Sequence, residues 1–579
     1  MVKVCSLTHY SDNDFSKYKL HFEKFNFPLH IFQKYAIEGI LEGQHVLVTA
    51  PTGSGKSLPA EFALDYFHSI GKKTIYCSPI KALSNQKFYD FTQKYPHISI
   101  GLITGDIKTN PDADVLIMTT EILLNKLYQI KSTSQQVNSS VSFDMDIEKE
   151  LGCVIFDEIH MINDKDRGHV WENCIMLLPS HIQMVGLSAT LDNPEKFAFW
   201  LENRGNKLMA NVEKQVYLTK KMVRTVPLTH YSFIASTQSI FKHIKDKELE
   251  KEINDVSNKL YIIQDANGKF NEPHYDRMNK ILKVYEKKNV RIKRNHVLNQ
   301  VSKLLVEKEM TPAICYVFSR KQIEVCAREL TTKLLDSESQ VPYIVKNECD
   351  KMIRKLPNFE EYANLPDYIN LVSLLEKGIG IHHSGMMPIL REIVELLFSK
   401  GYIKLLFCTE SVAIGLNLPV KTTIFTDINK HDGSTFRILH GHEFVQSSGR
   451  AGRLGIDTVG NVIHLHNLFR NMDKTNYKTM MAGKPQTLVS KFKISFNLIL
   501  NLIDIGDNQF NEFANKSMIT GNIDDELAAL HTMLTMEIAE LEIMNQSIKY
   551  MNSPPGIIHQ YIDYNIEKNN VVNKKRKMF

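Results

Sequence analysis

The sequence predicts an α/β protein: two tandem doubly wound domains followed by a mainly helical C-terminal region. Three observations predict it: short apolar runs recur from residue 43, helix-spaced segments separate them, and the series begins again near residue 312. A short run that is apolar at every position reads as a strand buried on both faces of a parallel sheet. Alternation with helices supplies the crossovers that parallel strands need.

The first series comprises HVLVTA (45–50), KTIYCSP (73–79), ISIGLITG (98–105), DVLIMTT (114–120), CVIFDE (153–158) and IQMVGLSAT (182–190). Helical spacing in SLPAEFALDYFHSI (57–70) and LSNQKFYDFTQKY (83–95) fills the gaps, so a first domain is expected over 1–205. Within it, residues 128–146 are rich in Ser, Gln and Asn and read as a surface insertion. Residues 206–310, with KHIKDKELEKEIND (242–255) and a basic stretch from Lys287 to Arg294, read as a charged helical linker with solvated faces. AICYVFS (313–319), IGIHHSG (379–385), YIKLLFCTE (402–410), TTIFTD (422–427) and GNVIHLH (460–466) build a second domain over 311–465. Between the last two, alternating apolar positions around His431-Asp432-Gly433 signal a hairpin. Residues 466–530 are mainly helical, and the Phe and Leu rows of VSKFKISFNLILNLI (489–503) read as core. Residues 531–579 continue a long helix, break it at Pro554-Pro555 and end in the basic run Lys574–Lys577.

Composition removes several function classes. With 43% hydrophobic and 23% charged residues, 27 Gly and 19 Pro, the chain is neither disordered nor collagenous. Eight cysteines without a C-x-x-C argue against a zinc ribbon or disulfide framework and for a reducing, intracellular compartment. No apolar run approaches the ~18 residues of a membrane span, and the N-terminus lacks a signal-peptide layout. Seventy Lys and Arg against 65 Asp and Glu give +5, which permits a nucleic-acid partner without demonstrating one. Abundant Lys, Asn and Ile fit an AT-rich genome, that of a protist or a large DNA virus, and nucleus and cytoplasm stay undistinguished.

Residues 50–57, APTGSGKS, follow a strand and open a helix, which is the setting of a phosphate-binding loop. Pro51, Thr52, Gly53, Ser54 and Gly55 would turn backbone N–H groups into one cavity at a helix N-terminus. Lys56 would reach the β and γ phosphates of ATP, and Ser57 would offer a hydroxyl to Mg²⁺. Asp157 and Glu158 close the strand 153–156, at the carboxyl edge where such sheets bind ligands. Asp157 suits Mg²⁺, and Glu158 suits orientation and deprotonation of the attacking water. Arg450 and Arg453 lie three apart, expected on the first turns of a helix, where both would project toward an interdomain cleft.

These motifs, with Ser188-Ala189-Thr190 and Gln446-x-x-Gly449-Arg450-Ala451-Gly452-Arg453 in order, resemble those of superfamily-two DExH-box helicases. SPIKALSNQK (78–87), ITGDIKTNPDADVLIMTTEIL (103–123), FDEIHMINDKDRGHVWE (156–172), IGIHHSGMMPILREIVELLF (379–398) and IGLNLPVKTTIFT (414–426) narrow the resemblance to the superkiller/Mtr branch of exosome-associated RNA helicases. It covers about residues 27–530 and implies two RecA-like domains, then a winged-helix-like region over 466–530. It also implies an RNA-stimulated ATPase that translocates 3′ to 5′ and unwinds duplexes in RNA processing or decay.

By the same resemblance Gln33 reads adenine, Gly415 belongs to the nucleotide site, Gln446 positions the water, and Arg450 and Arg453 are arginine fingers. Ser78, Pro79, Lys81, Gly105, Asp106, Thr119, Thr120 and Glu121 would hold the nucleic-acid backbone from the first domain. Ser319, His383 and Thr409 would do so from the second, while His160 and Ser188–Thr190 would couple nucleotide state to strand grip. The hairpin near His431 would split duplexes. In that branch a stalk, an arch and a helical bundle follow the winged helix. Residues 531–579 resemble the start of a stalk, so a second polypeptide supplying the remainder is one expectation and a reduced helicase the other. Leu454 stands where a basic residue is common. A DNA helicase of the related repair branch, or a nucleotide-gated RNA clamp, remain the competing readings.

Overall fold

The computed structural model describes residues 2–131, 145–203, 214–237, 246–336, 338–410, 420–431, 435–469, 473–504, 510–549 and 555–576. Most of the expected insertion, Gly415, the hairpin tip Asp432-Gly433 and Lys577 lie outside the described residues.

In chain order the strands are β1 (Lys3–Val4), β2 (His45–Thr49), β3 (Lys73–Ser78), β4 (Ile100–Ile103), β5 (Lys108–Thr109), β6 (Val115–Thr119), β7 (Leu151–Phe156), β8 (Gln183–Ser188), β9 (Leu191–Asp192) and β10 (Val216–Lys220). They continue with β11 (Leu228–Phe233), β12 (Leu260–Gln264), β13 (Ala313–Tyr316), β14 (Ile379–His382), β15 (Leu405–Cys408), β16 (Thr422–Phe425), β17 (Asn429–His431), β18 (Phe436–Ile438), β19 (Gly460–Leu465) and β20 (Gln486–Thr487). One sheet has the order β1-β10-β2-β8-β7-β3-β6-β4-β5 and the other β12-β11-β19-β16-β13-β15-β14. All pairings in the first are parallel except β4–β5, and in the second except β11–β12.

Strand pleating divides the first core into two layers. Ile75, Cys77, Leu116, Met118, Val154 and Phe156 face one helical layer, and Tyr76, Val46, Val48, Ile117 and Ile155 face the other. The second sheet is wrapped by a single large cluster. Helices 58–69 and 81–94 sit where helical spacing places them.

The stretch 206–310 departs from a charged helical linker. Its helices Lys247–Val256, Glu272–Lys287 and Arg294–Glu307 are present, but β10 joins the first sheet while β11 and β12 join the second. Tyr275, Ile281, Val297 and Val301 are buried in the second core. VYLTK, LTHYSF and LYIIQ are short and partly polar, and only pairing with distant strands makes them strands. The chain therefore crosses between the sheets within residues 221–227.

The region after residue 466 serves both domains. Helix Lys474–Ala482 buries Tyr477 and Met480 in the second core. Beyond it β20 pairs with β9, and Leu488, Phe492, Leu498, Leu502, Phe513 and Met518 pack into the first core. The apolar row over 489–503 is thus core on one face only, because Ile494, Phe496 and Leu500 are exposed. Helices Met518–Lys549 and Pro555–Arg576 follow.

Glu172, in helix Gly168–Leu177, fixes this region to the first domain. Its fully buried carboxylate accepts Ser490 Oγ–H at 2.9 and 3.0 Å and Met518 N–H at 2.6 Å. Burial raises its pKa, and those N–H and O–H donors pull it back. Replacing Glu172 by Ala leaves these donors unpaired, at about 1–3 kcal/mol each. Urea unfolding should show the loss, and proteolysis should cut first within 490–518.

The second core holds His230, His464 and His466 among Phe425, Phe444, Phe469 and Tyr477. Burial drives all three pKa values down, to about 3 for His230 and His466 and well below the usual imidazole value for His464. Folded, they stay neutral, while the unfolded chain takes up protons below about pH 6.5. Stability is therefore fully present above that pH and falls as pH drops toward 3, by up to about 1.4 kcal/mol per pH unit per histidine. Unfolding free energy measured at pH 7.5 and 5.5 should show this slope, and His464→Phe should flatten it.

Candidate nucleotide and nucleic-acid site

The loop after β2 carries the chain into helix Leu58–Ser69. Gly53 and Gly55 adopt φ of 76° and 79°, the left-handed region, which aims loop N–H groups inward. A Cβ on Gly55 would lie 2.8 Å from Gln33 Nε2. Gln33 itself donates from Nε2 to Gly55 O at 3.0 Å, and its Oε1 accepts His30 N–H at 2.9 Å, so its amide braces the loop. Lys56 Nζ lies 2.6 Å from Glu158 Oε2 across the cavity. Ser57 begins the helix without using its hydroxyl as a cap.

Asp157 and Glu158 leave the end of β7. Glu158 has φ 53°, a backbone conformation uncommon for a non-glycine residue and typical of strained functional turns. Asp157 Oδ2 accepts Tyr76 O–H at 2.5 Å, and Oδ1 accepts Glu158 N–H at 3.0 Å. Burial and the adjacent Glu158 charge raise the Asp157 pKa. Burial pushes Glu158 upward too, but Lys56, His160 and Arg450 outweigh it and hold the carboxyl at about 2. The Asp157 carboxylate and the Ser57 hydroxyl, which caps no helix, are hard oxygen donors of the kind that suits Mg²⁺. His160 is buried, its pKa lowered to about 4, and its Nδ1 accepts Ala189 N–H at 3.4 Å. The carboxylate turn is thereby joined to Ser188–Thr190, where Ser188 Oγ is buried without a hydrogen-bond partner among the described residues.

The second domain brings Arg450 to this cluster. Arg450 is 9% exposed, and its charge and that of Glu158 act on each other. Burial lowers its pKa, while Tyr316, Glu158 and Asp157 favour its charged form. Contrary to expectation, the two arginines do not open a helix. Helix Gly441–Ser448 carries the half-buried Gln446 and ends before them, since Gly449 caps it and Ala451 bridges to Val420. Freed from helical periodicity, they diverge. Arg453 Nε and Nη2 bind both oxygens of Asp457, at 2.8 and 2.9 Å.

The residues expected to hold nucleic acid follow the carboxyl ends of adjacent strands. Ser78 and Pro79 end β3, Thr119–Glu121 end β6, and Gly105 and Asp106 follow β4. Ser319, Thr409 and His383 follow β13, β15 and β14. Gly105, Asp106 and Ser319 are exposed. Ser78 Oγ is instead shared with Ser84 Oγ at 2.5 Å, Lys81 pairs with Asp106, and Glu121 pairs with Arg167. His383 is buried and accepts Gly385 N–H at 3.2 Å. Expected hairpin strands β17 and β18 pair antiparallel, with His431 edge-on to Phe436.

Sequence reasoning missed Tyr76, Asn163, Glu172 and Arg224. Asn163 Nδ2–H donates to Thr487 O and its Oδ1 accepts Val489 N–H, both at 2.7 Å, which ties the segment after the carboxylates to the C-terminal region. Arg224, half-buried in the crossing between the sheets, donates to carbonyls of both domains. Only an acid inside the apolar helix around Glu172 left a visible signal in the sequence.

Residues 31–197 match the DEAD/DEAH box helicase family, and residues 358–455 the helicase conserved C-terminal domain. The chain is 35% identical to mouse Superkiller complex protein 2 over 510 residues, 84% of this chain and 37% of that protein. It is 35% identical to Saccharomyces cerevisiae Antiviral helicase SKI2, covering 83% and 38%, and 34% identical to mouse Exosome RNA helicase MTR4, covering 83% and 43%. The chain spans about two fifths of the length of these relatives.

Tyr76→Phe removes the donor from a buried carboxylate. It should cost about 1.5–3 kcal/mol of first-domain stability in urea unfolding.

Proposed function

From a chain that belongs to the DExH-box helicases of the superkiller and Mtr4 type, we propose an ATP-dependent RNA helicase that moves 3′ to 5′ on single strands and opens duplexes in RNA processing or decay. The observation that carries the proposal is that Arg450, from the second domain, comes near enough to Glu158 of the first for their charges to act on each other, while Glu158 is paired with Lys56. Hydrolysis in such a site needs groups from both domains, so it requires closure, and closure is the movement available for translocation. Lys56 exchanges Glu158 for the β and γ phosphates. Glu158 then orients a water and takes its proton, and Arg450 stabilises charge on the transferring phosphoryl group. Mg²⁺, when held at Ser57 and Asp157, neutralises phosphate charge. Gln33 and Gly415 are assigned to the nucleotide base and pocket, Gln446 to the water, and Arg453 to a supporting role from its Asp457 pair. His160 and Ser188–Thr190 are assigned the coupling of nucleotide state to strand grip.

Strand contacts at the β3, β4 and β6 ends and the β13, β14 and β15 ends would grip phosphates without reading sequence. Among the described residues no helix is long and apolar enough to cross a membrane.

Single-stranded RNA should raise steady-state ATP hydrolysis at least about tenfold, and Glu158→Gln should lower kcat by about 10²–10⁴-fold. Preference for 3′-tailed over 5′-tailed RNA duplexes checks the polarity. Stimulation by DNA alone would favour the repair-type reading.

A further inference from the structure

Arg224 stands at the middle of the crossing between β10 and β11, where the chain passes from one domain to the other. Its guanidinium makes four hydrogen bonds, all to carbonyls. Nε donates to Val226 O at 2.8 Å, Nη1 to Thr52 O at 3.1 Å and to Gly449 O at 2.6 Å, and Nη2 to Ala451 O. No carboxylate among the described residues lies within ion-pair distance of it. Thr52 belongs to the phosphate-binding loop, and Gly449 and Ala451 are the residues on either side of Arg450.

We propose that Arg224 is a positioning residue for hydrolysis: it pins the backbone around Arg450 to the phosphate-binding loop, so that Arg450 is aimed only while both domains share this one cation. The inference deepens the proposed function and rests on it. Three features support it. The carbonyls at Gly449 and Ala451 follow a helix C-terminus, where the chain has acceptors to satisfy and where positive charge is favoured. A planar fork with five N–H groups can hold all four of these carbonyls across both domains, whereas an ammonium has only three donors and no fixed plane. Because its partners are neutral, Arg224 keeps its full charge beside that of Arg450. The half-buried Arg224 and the buried Arg450 guanidiniums repel each other, and the charge of a bound triphosphate relieves that repulsion. Closure is therefore favoured when triphosphate is present. The bonds to Thr52, Gly449, Ala451 and Val226 also leave Arg224 poorly placed to bind nucleotide directly.

The test compares the parent chain with Arg224→Gln, Arg224→Lys, Arg450→Gln and the Arg224→Gln/Arg450→Gln double variant. It measures kcat and KM for ATP, thermal midpoints, and amide hydrogen exchange with and without a non-hydrolysable ATP analogue. The expected result is a fall in kcat of at least tenfold for Arg224→Gln, with KM changed less than about threefold. Arg224→Lys should not rescue it, and the double variant should be no slower than Arg450→Gln alone. In the parent the analogue should protect the amides of 449–453; in Arg224→Gln it should bind with similar affinity and fail to protect them. A raised KM at parental kcat would mean that Arg224 touches the nucleotide, and multiplying losses in the double variant would mean that it acts independently of Arg450. Either result overturns the proposal, as does a parental kcat in Arg224→Gln. If Arg224→Gln does not fold, Arg224→Lys carries the same comparison. A parent chain that binds the analogue but hydrolyses no ATP, with or without RNA, would instead count against the helicase reading, and the exchange comparison would still decide the role of Arg224.

Discussion

Parallel strand pairing is the constraint on which the rest depends. A parallel sheet must return each strand through a crossover, so every strand ends at the same edge and hands its next residues to one surface. In the first sheet β2, β8 and β7 are neighbours, which brings together the phosphate-binding loop, Ser188–Thr190 and Asp157-Glu158. The neighbouring trio β3, β6 and β4 collects Ser78, Thr119 and Gly105. Strand order thus separates the residues proposed to bind nucleotide from those proposed to hold nucleic acid, although the two sets of motifs alternate along the chain.

Charge in the cleft follows from the same packing. Lys56, Asp157, Glu158, Arg224 and Arg450 are all wholly or largely withdrawn from water, and buried charges persist only when paired or hydrogen-bonded. Lys56 and Glu158 neutralise each other, Tyr76 serves Asp157, and backbone carbonyls serve Arg224. The charges of the proposed nucleotide site thus form a network that satisfies itself within the chain. The C-terminal region is tied to it through Asn163 and Glu172, so the segment following Asp157 and Glu158 is bonded to residues 487–490.

Much of the fold was legible because buried parallel strands leave continuous apolar runs. The runs at 73–79 and 153–158 fall on β3 and β7. What escaped was context-dependent. VYLTK, LTHYSF and LYIIQ carry too little apolar signal alone, and they became strands because a partner edge was waiting. The placement of Arg450 and Arg453 was misjudged for a related reason. Gly449 caps the end of a helix rather than opening one, Gly452 turns the chain beyond it at φ 84°, and both depend on the preceding residues packing as Gly441–Ser448.

The sequence by itself determined the chemistry: a strand followed by Gly-x-Gly-Lys-Ser, a strand followed by Asp-Glu, and arginines within a glycine-rich string. These are local, and local spacing is what a linear chain displays. Only the tertiary structure decided which arginine enters the cleft, that Tyr76 supports Asp157, and that Arg224 spans the domains. Those pairings join residues from 81 to more than 220 positions apart, and nothing in local periodicity encodes contacts that exist only once two sheets have formed and met.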